Sequence, residues 1–225
     1  MATTTKVWQI IDGKLKPVES SLSQAGRTEP YDLEQWIASD SEILGPGLLI
    51  IGRQVSTESG PLDLLAVDSL GNLVIVELKR DKLPREALVQ AIDYASDVAS
   101  WSPEKISETC SKHTGKGLDD ALNDAFPDID LEAINLNDTQ RILLVGFSIE
   151  GSLERMIEWL SKSFDVNVNA IVLTYIRTAG GEELLTRTAI ISEEVEQKRI
   201  KKKKFPIPMS DEPGDYDKDQ LKELL

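Results

Sequence analysis

The sequence predicts an α/β fold, a mixed β-sheet of about five strands flanked by helices. Three observations predict it. Leu48-Leu49-Ile50-Ile51, Leu62-Asp63-Leu64-Leu65-Ala66-Val67 and Leu73-Val74-Ile75-Val76-Glu77-Leu78 are short, nearly continuous apolar runs separated by turn signals, as in a sheet covered on both faces. Stretches of helical period precede and follow them, around Leu33, Trp36 and Ile37 and again around Leu88, Ile92 and Ala95. Further strands and helices then alternate to residue 191, which places helices on both sides of the sheet.

In chain order, Val7-Trp8-Gln9-Ile10-Ile11 and Lys14-Leu15-Lys16-Pro17-Val18 flank Asp12-Gly13, a short-range hairpin signal. A helix is expected over 30–39, with Thr28 as N-cap and Pro30 in the first turn; Gly45-Pro46-Gly47 ends it. The three apolar runs follow, the last two joined through Ser69-Leu70-Gly71, where Gly71 suits the left-handed position of a three-residue hairpin loop. A helix over 84–100 presents Leu88, Ile92 and Ala95 as its packed stripe and Gln90, Tyr94 and Asp97 as a neighbouring one. The polar stretch 102–137 holds one or two short helices, one of them over 118–126. Strands are expected over 141–146, 168–176 and 184–191, and an amphipathic helix over 152–164 carries Leu153, Met156, Ile157 and Leu160 on one side. The chain divides into an N-terminal hairpin at 1–20, a main domain at 21–195 and a basic-then-acidic linker or disordered tail at 196–225, which starts near Lys201-Lys202-Lys203-Lys204.

Composition narrows the function classes. Cys110 is the only cysteine, so no internal disulfide forms, in keeping with a reducing compartment. No run approaches the ~20 apolar residues that span a bilayer, and the expectation is a soluble, cytoplasmic protein. The net charge of −14 counts against a nucleic-acid partner, although much of the acid lies in 119–138 and beyond Asp211, away from the residues considered next.

If Ser69-Leu70-Gly71 is the loop, Asp68 faces Asn72, and counting back along both strands sets Asp63 opposite Glu77. The strand period of two puts Lys79 on the face of Glu77. Three ionisable groups on one side of an apolar sheet are costly unless something offsets their burial. A hard cation such as Mg2+ (Mn2+ as substitute) binds one or two carboxylates together with waters and phosphate oxygens, and Asp63 and Glu77, with the carbonyl of Leu78, suit it. Such an ion polarises a phosphoryl group and activates water, and Lys79 could orient that water or stabilise developing charge. The spacing alone is equally compatible with a satisfied ion-pair cluster at the sheet edge.

Residues 29–94 resemble the PD-(D/E)XK, or restriction-endonuclease-like, superfamily, with its αβββαβ core, and most closely the nuclease domain of NucS/EndoMS-type and RecB-like endonucleases. The matching text is Gly60-Pro61-Leu62-Asp63-Leu64-Leu65, then Gly71-Asn72-Leu73-Val74-Ile75-Val76-Glu77-Leu78-Lys79-Arg80, then Gln90-Ala91-Ile92-Asp93-Tyr94-Ala95. The resemblance implies that Asp63 and Glu77 hold the metal, that Lys79 is catalytic, and that Gln90 and Tyr94 complete the site from the next helix. An acid on the first helix often joins them: Glu29 is the first candidate and Glu34 the second. Pro61 stands two residues before Asp63 rather than next to it, and the β-rich DNA-binding domain that precedes the nuclease in NucS-type proteins has only a short hairpin as its counterpart here.

Arg80 and Arg85 stand at the mouth of this site and are candidate phosphate contacts, or part of a solvated loop with Lys82. His113 is expected in a polar loop over 111–117, so zinc-type chemistry has no ligand set. Gly115-Lys116-Gly117 is not a phosphate loop. Trp8, Trp36, Trp101 and Trp159 are expected to pack at the core or sheet edge. The expected function is Mg2+-dependent hydrolysis of DNA phosphodiester bonds by an endonuclease of repair or defence, with DNA as partner, no membrane, and a homodimer left open. The alternative is a catalytically inactive module of the same fold that binds nucleic acid or a protein partner.

Overall fold

The computed structural model describes residues 7–12, 14–18, 31–131, 134–178 and 180–202. Residues 1–191 and 192–225 form two compact units. In the first, β1 (Val7–Ile11) and β2 (Lys14–Val18) pair as the expected hairpin, turned through Asp12 at φ 50°. Helix α1 (Tyr31–Ser39) buries Leu33 and Ile37, and a 3-10 turn, Ser41–Leu44, follows with its first N–H groups met by Asp40. The expected cap at Thr28 and the Pro30 turn lie outside the described residues.

Strands β3 (Leu48–Ser56), β4 (Pro61–Asp68) and β5 (Leu73–Leu78) form an antiparallel meander. The short β6 (Lys82–Leu83) leads to α2 (Glu86–Ala99), α3 (Pro103–Thr114) and α4 (Leu118–Ala125). Next come β7 (Gln140–Gly146), β8 (Ser148–Ile149) and α5 (Gly151–Phe164), then β9 (Val168–Arg177) and β10 (Glu183–Ala189). The main sheet has six strands in the order β10-β9-β7-β5-β4-β3, against about five expected; β7 runs parallel to both β5 and β9, and β10, the strand expected over 184–191, forms one edge antiparallel to β9. Alternation assigns Leu64, Ala66, Val74 and Val76 to the layer containing α1, and Leu65, Val67, Leu73 and Ile75 to the layer containing α2 to α5. Both layers are apolar because helices cover both faces. In the second unit α6 (Glu193–Lys202) is helical, so Lys201 and Lys202 belong to a helix.

Helix α2 is rotated from the expected stripe. Its buried residues are Ala87, Leu88, Ala91, Tyr94 and Val98, and Ile92 is 45% exposed. Small Ala87 and Ala91 let the helix lie close against the sheet, while Tyr94 supplies the bulk; reading the face from the largest aliphatic side chains misplaced it. The same happens on α5, where Met156 is at the surface while Leu153 and Ile157 are fully buried. Trp8 and Trp159 are also exposed rather than packed into the core. His113 lies in the last turn of α3, not in a loop. That helix was hidden by its polarity, although Ser102 caps it, Pro103 starts it, and Gly115 ends it at φ 73°.

The β4–β5 hairpin is fixed by a buried polar lock. Asp68 Oδ1 accepts from the N–H groups of Leu70 and Asn72 at 2.9 and 3.0 Å, and Arg141 Nη1 donates to Asp68 Oδ2 at 3.0 Å. Asn72 Nδ2 also donates to Asp68, and Thr139 Oγ1 donates to Asn72 Oδ1 at 2.8 Å. Gly71 takes φ 86°, and a Cβ there would lie 2.3 Å from Ile134 Cγ2 and 2.9 Å from the Asn135 carbonyl oxygen. Gly71→Ala should therefore lower stability by about 2–4 kcal/mol through backbone strain and overpacking, measurable by urea unfolding.

Candidate active site

The lock sets the register of everything further along the hairpin. Leu64 pairs with Val76 and Val67 with Leu73, so Asp63 comes opposite Glu77, as the loop length predicted. Across the other ladder, Arg53 pairs with Leu64 and Val55 with Leu62, which brings Gln54 opposite Asp63. Gln54, Asp63 and Glu77 thus form a row across three adjacent strands at one end of the sheet.

Asp63 Oδ2 accepts the backbone N–H of Leu78 at 2.8 Å, and Oδ1 accepts from Gln54 Nε2 at 3.1 Å. Glu77 is 1% exposed; its Oε1 meets Lys79 Nζ at 2.6 Å, and its Oε2 is buried with no hydrogen-bond partner among the described residues. Lys79 Nζ donates to Gln90 Oε1 at 2.9 Å, and Gln90 Nε2 donates to Tyr94 OH at 2.9 Å. Gln90 and Tyr94 are one helical turn apart on α2, so the helix delivers both from one face. The backbone at Lys79 is pinned by its N–H to Val145 O at 2.8 Å, and the next residues by the Phe147 and Ser148 N–H groups to Asp81 O.

Burial raises the Asp63 carboxyl above its ordinary pKa, against the lowering effect of the Leu78 and Gln54 hydrogen bonds and of Lys79. Burial also raises Glu77, opposed by the Lys79 hydrogen bond and charge and reinforced by the charge of Asp63. Each acid holds its proton more tightly folded than unfolded. Their contribution to stability is therefore complete below the ordinary carboxylate range and is lost as pH rises through the raised values. In EDTA, Glu77→Gln should unfold with a flatter pH dependence than wild type across that window, as urea titrations at a series of pH values would show.

Of the two first-helix candidates, Glu29 lies outside the described residues and Glu34 is described. Glu34 is 5% exposed, accepts from Arg53 Nε at 2.5 Å and sits 3.4 Å from Gln54 Nε2. Gln54 escaped the sequence reading. Its signal was the four-residue turn Thr57 to Gly60, closed by Thr57 N–H to Gly60 O at 3.0 Å: counting back from that turn sets Gln54 opposite Asp63. Arg80 is exposed. Arg85 pairs with Glu86 at 3.0 Å and lines a shallow surface depression with Arg155, Met156, Trp159 and Lys162, which none of the Asp63, Glu77 and Lys79 side chains line.

The donor set fits a hard divalent cation. Two carboxylates converge, one with a buried oxygen that no group among the described residues satisfies. Among the described residues no group of three or more His, Cys, Asp or Glu side chains is arranged to hold a metal, so an ion here would complete its shell with water, carbonyl or substrate oxygens, as Mg2+ commonly does. No described helix is long and apolar enough to cross a membrane.

Residues 29–100 match the family model described as the endonuclease NucS C-terminal domain. Curated relatives named endonuclease NucS include that of Kocuria rhizophila, 43% identical over 33% of this chain and 39% of the relative. That of Sulfolobus acidocaldarius is 33% identical over 40% of this chain and 34% of its own, and that of Corynebacterium jeikeium is 46% identical over 21% and 20%. The chain thus spans between a fifth and two fifths of the length of these relatives. Among solved structures, a chain of an EndoMS–dsDNA2 complex is similar at 22% identity and a TM-score of 0.36, over 59% of this chain and 45% of that one. A repair endonuclease from Pyrococcus abyssi is similar at 17% identity and a TM-score of 0.32, over 63% and 47%. Over residues 29–100, which contain Glu34, Asp63, Glu77, Lys79, Gln90 and Tyr94, the chain resembles the NucS C-terminal domain.

Proposed function

We propose that the chain is a metal-dependent endonuclease that hydrolyses phosphodiester bonds in DNA, with Mg2+ as its ion and Mn2+ as a substitute. The observation that carries this reading is Glu77: a buried carboxylate with one oxygen on Lys79 and the other without a partner among the described residues, on the strand beside Asp63. The sequence likeness to proteins named endonuclease NucS supports it. Asp63 and Glu77 would hold the ion, with the Leu78 carbonyl as a further oxygen. Bound there, Mg2+ would contribute polarisation of the phosphoryl group and activation of water.

The remaining steps fall to the chain. The Leu78 N–H and the Gln54 amide each occupy one oxygen of Asp63 and fix the plane of its carboxylate. Lys79 gives two of its three N–H donors to Glu77 and Gln90, which leaves the third for a water or for charge developing on a phosphate oxygen. Gln90 is held with its carbonyl toward Lys79 because Tyr94 OH takes its amide hydrogen. Arg80 and Arg85 are candidates for contact with flanking phosphates, and the cytoplasm is the compartment this reading assigns.

The test is incubation of the purified chain with supercoiled plasmid DNA in Mg2+ or Mn2+. Cleavage that EDTA and Asp63→Asn both abolish is expected; intact plasmid under all conditions would count against the reading. Metal binding needs both acids deprotonated, and both are raised. Cleavage and Mn2+ affinity should therefore fall as pH drops through values higher than for ordinary carboxylates. The net charge of −14 favours a second reading, an inactive module of the same fold, which predicts equal Mn2+ response from wild type and Asp63→Asn.

A further inference from the structure

The row across the sheet end contains one residue whose backbone is strained. Gln54 sits at φ 48°, in the left-handed region that non-glycine residues enter rarely and at a cost. It follows a register shift between Ile50 and Gly52 on β3; such bulges re-aim side chains and are common beside functional sites. Gln54 is exposed, so core packing does not account for its conformation. The side chain does have a definite target. Its single Nε2 lies 3.1 Å from Asp63 Oδ1 and 3.4 Å from Glu34 Oε1, placing one amide nitrogen between two carboxylates.

The charges around it show what that amide does. Glu34 and Asp63 both turn an oxygen to the same amide nitrogen, so two like charges face each other across it and repel. Arg53 holds the far oxygen of Glu34, and the two Nε2 hydrogens can serve one acid each. Glu34, Asp63 and Glu77 against Arg53 and Lys79 leave one negative charge, which a divalent cation would more than balance. Without the amide, Asp63 loses the donor that orients Oδ1 and faces Glu34 directly.

We propose that Gln54 is a positioning residue of the site: its strained backbone aims the side-chain amide between Glu34 and Asp63, holding Asp63 in the orientation that binds the ion. This rests on the reading given under Proposed function. Groups that orient a metal ligand through a hydrogen bond typically change metal affinity by about 10- to 100-fold when removed.

Gln54→Gly and Gln54→Asn test it on the full chain. Both replacements accept positive φ, so neither adds strain; glycine has no amide, and asparagine is one methylene too short to reach both acids. In EDTA both should melt at or above the wild-type temperature. Titrated with Mn2+ alone and followed by the electron paramagnetic resonance of the free ion, both should bind at least ~10-fold more weakly than wild type. If both variants bind Mn2+ as wild type does, Gln54 is not a positioning residue and the metal-site reading stands. If both melt well below wild type and bind Mn2+ with unchanged affinity, its role is structural and the proposal is overturned. If wild type itself does not bind Mn2+, the metal-site reading and this proposal fall together.

Discussion

Glu77→Gln and Lys79→Met are each expected to reduce metal-dependent cleavage by about 10²–10³-fold or more, the scale on which a positioned charge acts in a catalytic site, and Glu77→Gln to do so with no matching loss of fold. The two parts of this expectation have separate causes. Glu77 is buried, burial raises its carboxyl above the ordinary range, and one of its oxygens has no hydrogen-bond partner among the described residues. At neutral pH in the absence of metal its charge is a cost to the folded state, so a neutral isostere should leave the melting temperature in EDTA equal or higher. Wild type should gain stability on adding Mn2+, about 2.7 kcal/mol at a hundredfold excess over Kd, and Glu77→Gln should gain far less. Lys79 is partly exposed, at 31% of its side chain, so methionine can take its stem, but it leaves the buried Glu77 carboxylate without the ammonium on Oε1. Lys79→Met alone should therefore melt lower in EDTA, and adding Glu77→Gln should restore the loss. If the three groups were only an ion-pair cluster, Glu77→Gln would be destabilised as well and Mn2+ would not distinguish it from wild type.

Asp68→Ala is expected to have the largest effect on stability, a loss of about 3–5 kcal/mol, the scale for removing one partner of a buried ion pair. The substitution takes the carboxylate from Arg141, 8% exposed, and from the Leu70 and Asn72 N–H groups at the turn. Asp68 lies five residues from Asp63 along β4, yet it determines where Asp63 comes to rest, because a one-residue slip in the ladder turns every side chain to the other face. Asp68→Asn keeps the shape and an acceptor and should cost less. Chemical denaturation of the two variants measures the difference, and an Asp68→Ala loss below ~1 kcal/mol would mean that the lock does not hold the hairpin.

The parts of this site that were legible in the sequence depend on local counting. Gly71 and the short loop specified the Asp63–Glu77 register, the period of two brought Lys79 to the face of Glu77, and the spacing of four brought Gln90 to Tyr94; each is observed. The parts that were not legible depend on what packs against what. The α2 face was misjudged because close approach to a sheet favours Ala87 and Ala91 over Ile92. Helix α3 was hidden because a helix that buries only Ile106 and Cys110 has almost no apolar stripe. Glu34 reaches Asp63 through Gln54, whose place opposite Asp63 depends on the Thr57–Gly60 turn, a turn the sequence reading did not use.

The most direct measurement is a crystal of the chain soaked in Mn2+ and recorded at a wavelength where manganese scatters anomalously. An anomalous peak is expected between the Asp63 and Glu77 carboxylates, within ligand distance of Glu77 Oε2. Clean density with no peak there, and Glu77 Oε2 satisfied instead by a protein donor or an ordered water, would contradict the metal-site reading.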